Sequence, residues 1–245
     1  MTTLAKGLAV LRTFTVERST MTLSETAAAA DLTRATARRI LRTLAALGYV
    51  EQDGRKFSLT PRVLELGFGY LSSQSWIDRA LPVLKELSGT VQESCSAAIL
   101  QGTDIVYVAR VPTSRIMSVA VSVGSRLPAF HTSLGRVQLG FIEDAEIWRR
   151  LMSRPVEQYT THTISDPQAL FDRIKADYGQ GFSIVDEELE RGLRSVAVPV
   201  VDRRGDVVAG LNVSTNSTRI TRNHMREQFL PRLHNAAEQI ASFMP

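Results

Sequence analysis

Residues 33–60, TRATARRILRTLAALGYVEQDGRKFSLT, constrain the fold more than any other stretch of the chain. Ala37, Ile40, Leu41, Leu44 and Leu47 recur at the spacing of an amphipathic helix and fall within one arc of its surface. Thr33 can cap the start of that helix and Gly48 can stop it. The period then changes. Val50 on one side, and Phe57 and Leu59 on the other, flank an Asp53-Gly54 pair suited to a tight turn, so the pattern predicts a β-hairpin. Arg34, Arg38, Arg39 and Arg42 crowd the helix and avoid its apolar arc: Arg38 and Arg42 lie opposite its centre, Arg34 and Arg39 at its flanks.

Two shorter helices precede this one. TLAKGLAVLRTF places Leu4, Leu8, Leu11 and Phe14 on one helical face, with Thr3 available as cap. TLSETAAAADL opens with Thr22 and Glu25 at the spacing of a capping box and continues with four alanines, which favour helix and let a neighbour approach closely. A break at Asp31-Leu32 then leads to the arginine-rich helix. Helix, helix, helix, hairpin is the order of a winged helix-turn-helix.

Pro61 ends the hairpin, and RVLELGFGYLSSQ resumes a helical pattern that predicts a linker helix from Arg62 to Ser75, weakened by Gly67 and Gly69. Beyond it, WIDRALPVLKELSGTV reads as helix, SCSAAILQGTDIVYVARV as two strands about Gly102 and MSVAVSV as a third strand. SLGRVQLGF, DAEIWRRLM and DPQALFDRIKADYGQG read as helices; FSIVDEE, SVAVPVVD and DVVAGLNVST read as strands. The acidic run Asp186–Glu190 reads as a solvated loop after its strand, and a closing helix is expected to kink at Pro231. Hairpins outnumber crossovers, so the fold class is α+β: a DNA-binding domain over 1–60, a linker helix over 61–75 and a second domain over 76–245 whose antiparallel sheet is flanked by helices.

Charge separates these parts. Residues 1–60 carry nine Lys and Arg against five Asp and Glu, whereas the remainder carries 20 of each, so the whole excess of +4 sits in the first quarter. That asymmetry fits a domain that meets a polyanion. A hydrophobic fraction of 44% with 22% charged residues is ordinary for a globular chain. MTTLAKGLAVL lacks the basic-then-apolar pattern of a signal peptide and no stretch reaches the ~18 apolar residues of a membrane span, which gives the expectation of a cytoplasmic protein. One cysteine, Cys95, excludes a disulfide framework or a cysteine-rich zinc site and reads as a small buried strand residue.

Guanidinium can pair bidentately with guanine or with phosphate. Thr33, Arg34, Thr36, Arg38 and Arg39, near the helix N-terminus, are the candidates for base or near-base contacts, and Arg42, Arg55 and Lys56 for the backbone. His131, His162, His224 and His234 lack metal-ligand spacing, no G-x-S-x-G or P-loop motif is present, and no catalytic residue, metal or cofactor is expected. A hydrolase with an accessory winged helix and a constitutive DNA-architectural protein are the competing classes.

RRILRTLAALGYVE, LTPRVLELG, GSRLPAFHTSLGRVQL and VDEELERGLRSVAVPV resemble the IclR (isocitrate lyase regulator) family of bacterial transcription factors over nearly the whole chain. SRIMSVAVSVGSRLPAF, TSLGRV and GLRSVAVPV look most like its branch regulating protocatechuate and 4-hydroxybenzoate catabolism through the β-ketoadipate pathway. The resemblance implies a GAF-like effector domain, a homodimer that can pair again into a tetramer, double-stranded operator DNA as partner, and a small organic acid as effector. The acid implied is an aromatic-catabolism metabolite, protocatechuate, 4-hydroxybenzoate or β-ketoadipate, or another carboxylate such as glyoxylate. By motif, effector positions fall at Ile116, Val119, Ser133, Leu134, Val185, Leu193, Ser195, Asn212 and Ser214. Val185 stands where some members carry an acid, and Ser195 where some carry cysteine. Ser195, Asn212 and Ser214 also alternate with apolar residues, as small polar groups lining one face of an apolar cavity would. Arg194, Arg126 and Arg115 are the candidate cations for a ligand carboxylate.

Overall fold

The computed structural model describes residues 2–15, 17–113 and 121–244. The chain divides into two compact units, Met1–Ser73 and Gln74–Pro245.

In the first unit, α1 (Thr3–Arg12) is capped by Thr2, whose hydroxyl accepts from the Ala5 amide; Thr3, the expected cap, lies inside the first turn, one position past the residue that caps. A short strand β1 (Thr20–Thr22), not foreseen from the sequence, runs directly into α2 (Leu23–Ala29). There the capping box closes: the Glu25 amide donates to Thr22 Oγ1 at 3.3 Å and the Thr22 amide to Glu25 Oε2 at 2.7 Å. Asp31, at φ 50, turns the chain into α3 (Arg34–Ala46). The Thr36 amide donates to Thr33 Oγ1, and at the other end Gly48 (φ +79) allows the Tyr49 and Gly48 amides to bond back to Leu44 and Ala45.

Strands β2 (Val50–Asp53) and β3 (Lys56–Leu59) form the hairpin, with β1 completing a sheet of order β1-β3-β2. Asp53 pairs with Lys56, so the turn is Gly54-Arg55 rather than Asp53-Gly54; the first loop residue needs positive φ, and Gly54 supplies +55. Val10, Ile40, Leu41, Leu44, Val50 and Phe57 form the core, and each fully buried aliphatic side chain contributes about 1.5–3 kcal/mol. Leu47 leaves the expected arc because the helix ends before it, and it is 52% exposed. Helix α1 packs through Val10, Leu11 and Phe14 and leaves Leu4 and Leu8 in solvent. After a 3-10 turn at Pro61–Val63, α4 (Leu64–Ser73) buries nothing: Leu64, Leu66, Phe68 and Tyr70 are all exposed.

In the second unit, α5 (Ser75–Val91) leads to β4 (Ser94–Gln101) and β5 (Asp104–Val111), joined at Gly102. The expected strand over 117–123 falls largely outside the described residues; the edge strand paired with β5 is β6 (Arg126–Pro128). Helices α6 (Ser133–Leu139), α7 (Asp144–Leu151) and α8 (Pro167–Gln180) precede β7 (Ser183–Asp186), β8 (Leu193–Val201) and β9 (Val207–Asn216). The sheet is antiparallel with order β6-β5-β4-β9-β8-β7. The closing helix is interrupted by a π-helical stretch at Met225–Phe229 between α9 (Arg222–His224) and α10 (Leu230–Ala241); Pro231 sits in the first turn of α10, where its missing N–H costs nothing.

Alternation along the strands gives the sheet two apolar faces. Cys95, Val196, Leu211 and Val213 belong to one, packed by α5 and α10; Ser195, Ala197, Gly210, Asn212 and Ser214 belong to the other, packed by α6. Cys95 is fully buried and burial pushes its thiol up to about 12, far from a reactive thiolate. The architecture is therefore α+β, a winged helix-turn-helix with a short helix behind it and a GAF-like sheet clasped by helices.

Candidate functional site

The first candidate surface is the outward face of α3 with the wing beside it. Arg34, Arg38, Arg39 and Arg42 are all exposed, as are Arg55 and Lys56 at the hairpin tip, and Thr33 and Thr36 sit together at the helix start with a 2.9 Å hydroxyl contact. None of these arginines has an ion pair among the described residues. In the second unit Arg126, Arg136, Arg150, Arg154, Arg194 and Arg222 are paired with carboxylates, while Arg203, Arg204 and Arg226 there have no ion pair among the described residues. What sets α3 apart is that its unpaired arginines crowd one short helix face. Uncommitted guanidinium groups on one helix face are what binding to a polyanion requires.

The second candidate site is a cavity between α6 and the sheet. Ser133, Leu134, Val185, Leu193, Ser195, Asn212 and Ser214 line it together, with Tyr107, Leu127, His131, Thr132 and Leu189. Ile116 and Val119 lie outside the described residues. The cavity measures about 30 Å³. Two glycines set its shape. A Cβ on Gly135 would stand 2.1 Å from the Ala129 carbonyl oxygen, and one on Gly210 would stand 2.8 Å from the Leu134 carbonyl, so α6 is seated directly on β9 and on the turn before it. Gln138 fixes this seat: its side chain accepts from the Leu100 amide at 2.8 Å and donates to the Leu134 carbonyl at 2.7 Å.

A row of small polar groups crosses the cavity wall. Ser133 donates to Ser195 at 2.9 Å, Ser195 pairs across strands with Ser214, and Asn212 Nδ2 donates to Ser214 Oγ at 2.9 Å. Burial pushes the Tyr107 phenol up to about 12, against the pull of Arg110, so it remains a neutral hydroxyl. Two lining atoms, His131 Nδ1 and Asn212 Oδ1, are buried without a hydrogen-bond partner.

The arginines expected to reach a ligand carboxylate do not line this cavity. Arg194 projects from the other side of β8, grips Asp186 at 2.7 and 3.0 Å and donates to the carbonyls of Ser217 and Ile220; Arg126 pairs with Asp104. Arg115 lies outside the described residues. The arginine that matters was missed. Arg136, fully buried on α6, donates to Glu188 Oε1 at 2.8 Å and Oε2 at 2.5 Å and to the Phe130 carbonyl at 2.8 Å. His131 Nδ1 stands 4.0 Å from the same carboxylate. Burial alone would raise the Glu188 carboxyl, but the adjacent His131 and Arg136 outweigh it and hold Glu188 below the ordinary value.

The Asp186–Glu190 segment is thus not a solvated loop. Glu187, at φ 58, accepts from the Gly192 amide and Ser217, while Thr160 and Thr163 donate to the carbonyls of Glu187 and Glu188, each at 2.6 Å. This folds the segment inward and brings Leu189 to the cavity. Helical periodicity was the available signal: Arg136 lies between Leu134 and Val137 in a helix with no polar face. Among the described residues no cluster of three or more His, Cys, Asp or Glu is placed to hold a metal ion, and no helix is long and apolar enough to cross a membrane.

Known proteins share this arrangement. Residues 3–54 match the IclR helix-turn-helix domain, and residues 68–242 match the family described as bacterial transcriptional regulator IclR C-terminal. The Pca regulon regulatory protein of Pseudomonas putida is 43% identical over 241 residues, 98% of this chain and 83% of that protein. A crystal structure of a transcriptional regulator from Rhodococcus sp. RHA1 is 47% identical with a TM-score of 0.85, covering 98% of this chain and 96% of that one. An IclR homologue from Microbacterium hydrocarbonoxydans, crystallised with 4-hydroxybenzoate, shares the fold at 24% identity and a TM-score of 0.84 over 98% of each chain. With both halves matched, a winged helix bearing unpaired arginines in one unit and a polar-lined cavity in the other, the chain belongs to the IclR family of bacterial transcriptional regulators.

Proposed function

We propose that this regulator binds double-stranded operator DNA through residues 1–60, connects through a linker over 61–75, and senses a small organic acid in residues 76–245. Thr33, Arg34, Thr36, Arg38 and Arg39 meet the major groove, and Arg42, Arg55 and Lys56 hold phosphates. The exposed apolar side chains of α1 and α4, among them Leu4, Leu8, Leu64 and Phe68, support a homodimer, since so many large apolar side chains left in solvent on two short helices mark contact surfaces. The protein works in the cytoplasm, where its DNA is.

One observation carries the effector assignment: seven residues drawn from α6, β7, β8 and β9 converge on one cavity with a polar row and apolar walls. Such a wall suits a planar ligand with polar substituents. An aromatic-catabolism metabolite, 4-hydroxybenzoate or protocatechuate, offers ring hydroxyls to this polar row, as β-ketoadipate does not, and seating it requires the cavity of about 30 Å³ to widen. The kinship with the Pseudomonas Pca regulator and the 4-hydroxybenzoate bound by the Microbacterium homologue point the same way.

Thermal-shift measurement of the full chain with protocatechuate, 4-hydroxybenzoate, β-ketoadipate and glyoxylate, repeated with the promoter fragment, tests the reading. A ligand at a hundred times its Kd stabilises by about 2.7 kcal/mol. Stabilisation by an aromatic acid is expected; stabilisation by glyoxylate alone would move the protein to another carboxylate pathway.

A further inference from the structure

The effector cavity must open before it can hold an aromatic acid. It measures about 30 Å³, whereas a cavity that accepts benzene needs about 150 Å³. Most of its described walls are pinned. Helix α6 sits where Gly135 and Gly210 leave no room for a Cβ, and Gln138 ties it to the Leu100 amide. The segment bearing Leu189 is held by Arg136 through Glu188, and by Thr160 and Thr163 through the carbonyls of Glu187 and Glu188. Val185, Ser195 and Asn212 stand on paired strands. His131 is secured least. It is 3% exposed, yet its Nδ1 has no hydrogen-bond partner and Glu188 Oε2 is 4.0 Å away. What holds its ring is Tyr159, packed edge to face with centroids 5.4 Å apart.

A second hollow, of about 20 Å³, lies against the same imidazole. Its lining and that of the effector cavity have His131 in common and no other described residue, so this one ring divides them. Arg150, Arg154, Glu157 and Tyr159 wall the outer hollow. Arg150 shares Glu146 with Arg149, and Arg154 shares Asp104 with Arg126. Counting Glu157, four guanidinium groups meet three carboxylates, so the approach stays cationic. Tyr159 is the outer leaf. It is 39% exposed on the loop between α7 and α8; its amide is fixed to Thr163 Oγ1 at 3.1 Å, while its ring can turn into solvent.

We propose that the outer hollow is the entrance to the effector cavity and that His131 and Tyr159 are its gate: Tyr159 swings outward, the imidazole follows, and the two hollows join into a channel that passes a planar carboxylate. This rests on the aromatic-acid reading above. A buried ion pair in that position would make opening slow, whereas a ring contact is weak enough to break and re-form at each passage. A gate differs from a binding contact in what it changes. Lowering its barrier speeds entry and exit by the same factor and leaves Kd where it was, whereas a lost contact to the bound ligand shows in dissociation.

Stopped-flow fluorescence of the full-length protein gives both rates for 4-hydroxybenzoate and protocatechuate, and isothermal titration gives Kd. Tyr159→Ala is expected to raise association and dissociation together, each by about 3–10-fold, with Kd within about twofold of wild type. Tyr159→Phe, which keeps the ring, is expected to match wild type within about twofold in both rates. Wild-type rates in Tyr159→Ala, with its thermal transition retained, would overturn the proposal and leave the aromatic-acid reading standing. A weaker Kd carried by dissociation alone would overturn it too, since Tyr159 would then support the bound ligand. If neither aromatic acid binds the wild type while glyoxylate or β-ketoadipate does, the aromatic-acid reading falls, and the same two rates taken with that acid decide the gate.

Discussion

Replacing Glu188 by leucine removes the hydrogen-bonded counter-charge of a fully buried arginine. Arg136 is fully buried, and Glu188 receives two of its guanidinium hydrogen bonds, at 2.8 and 2.5 Å; only the Nε bond to the Phe130 carbonyl would survive. Charge-assisted hydrogen bonds contribute about 1.5–3 kcal/mol each, and removing one partner of a buried pair costs about 3–5 kcal/mol; Asp177, also buried and within electrostatic reach of Arg136, keeps the loss toward the lower end of that range. For a unit of this size each kcal/mol corresponds to roughly 2–4 °C, so Glu188→Leu lowers its transition by about 10 °C in calorimetry of the full chain. Adding Arg136→Met removes the stranded charge and recovers most of that loss, leaving the Phe130 carbonyl as the remaining deficit. pH gives an independent check. Glu188 is held below its ordinary value of 4.5, so its pairing is present in full above that pH and is lost as pH falls through the lowered folded value. The gap between wild type and Glu188→Leu is therefore constant near neutrality and closes in acid. A loss under about 1 kcal/mol at pH 7, or a double variant no more stable than the single one, would refute the argument that the carboxylate neutralises Arg136.

Three further outcomes are expected. Arg38→Ala abolishes specific operator binding and relaxes base preference in footprinting, with each lost bidentate contact costing about 1–3 kcal/mol; an unchanged footprint would show that another residue of α3 does the reading. Lys56→Ala weakens binding to every sequence alike and lowers the slope of log affinity against log salt by about 1, measured by fluorescence anisotropy across a salt series. Gly135→Ala forces α6 off the turn before it, since its Cβ would stand 2.1 Å from the Ala129 carbonyl, and destabilises the effector unit by about 1–3 kcal/mol or more in thermal melts.

What could be read from the sequence was whatever short-range chemistry decides. Thr22 with Glu25, Thr33, and Gly48 mark helix ends through bonds spanning only a few residues, and the boundaries of α2 and α3 follow from them. The turn at Gly54-Arg55 was misplaced by one residue because an Asp-Gly pair suits one turn type and a leading glycine another, and the Asp53–Lys56 pairing decides between them. Strand β1 was invisible: three residues exist as a strand only because β3 lies beside them. The cavity lining was reached by motif and by the alternation of Ser195, Asn212 and Ser214. Leu189, His131 and the Arg136–Glu188 pair were not, since the two ends of that pair are 52 residues apart and each resembles an ordinary surface charge in isolation.

The division of labour between the two faces of β8 and β9 has an evolutionary consequence. Val196, Leu211 and Val213 serve the core, while Ser195, Asn212 and Ser214, one step along the same strands, serve the cavity. Backbone pairing holds the strands whatever the cavity-side residues are, and the packed face beneath them stays untouched. A lineage of this fold can therefore exchange a few small cavity side chains, and so change what the cavity accepts, without re-solving the problem of folding and without touching the winged helix.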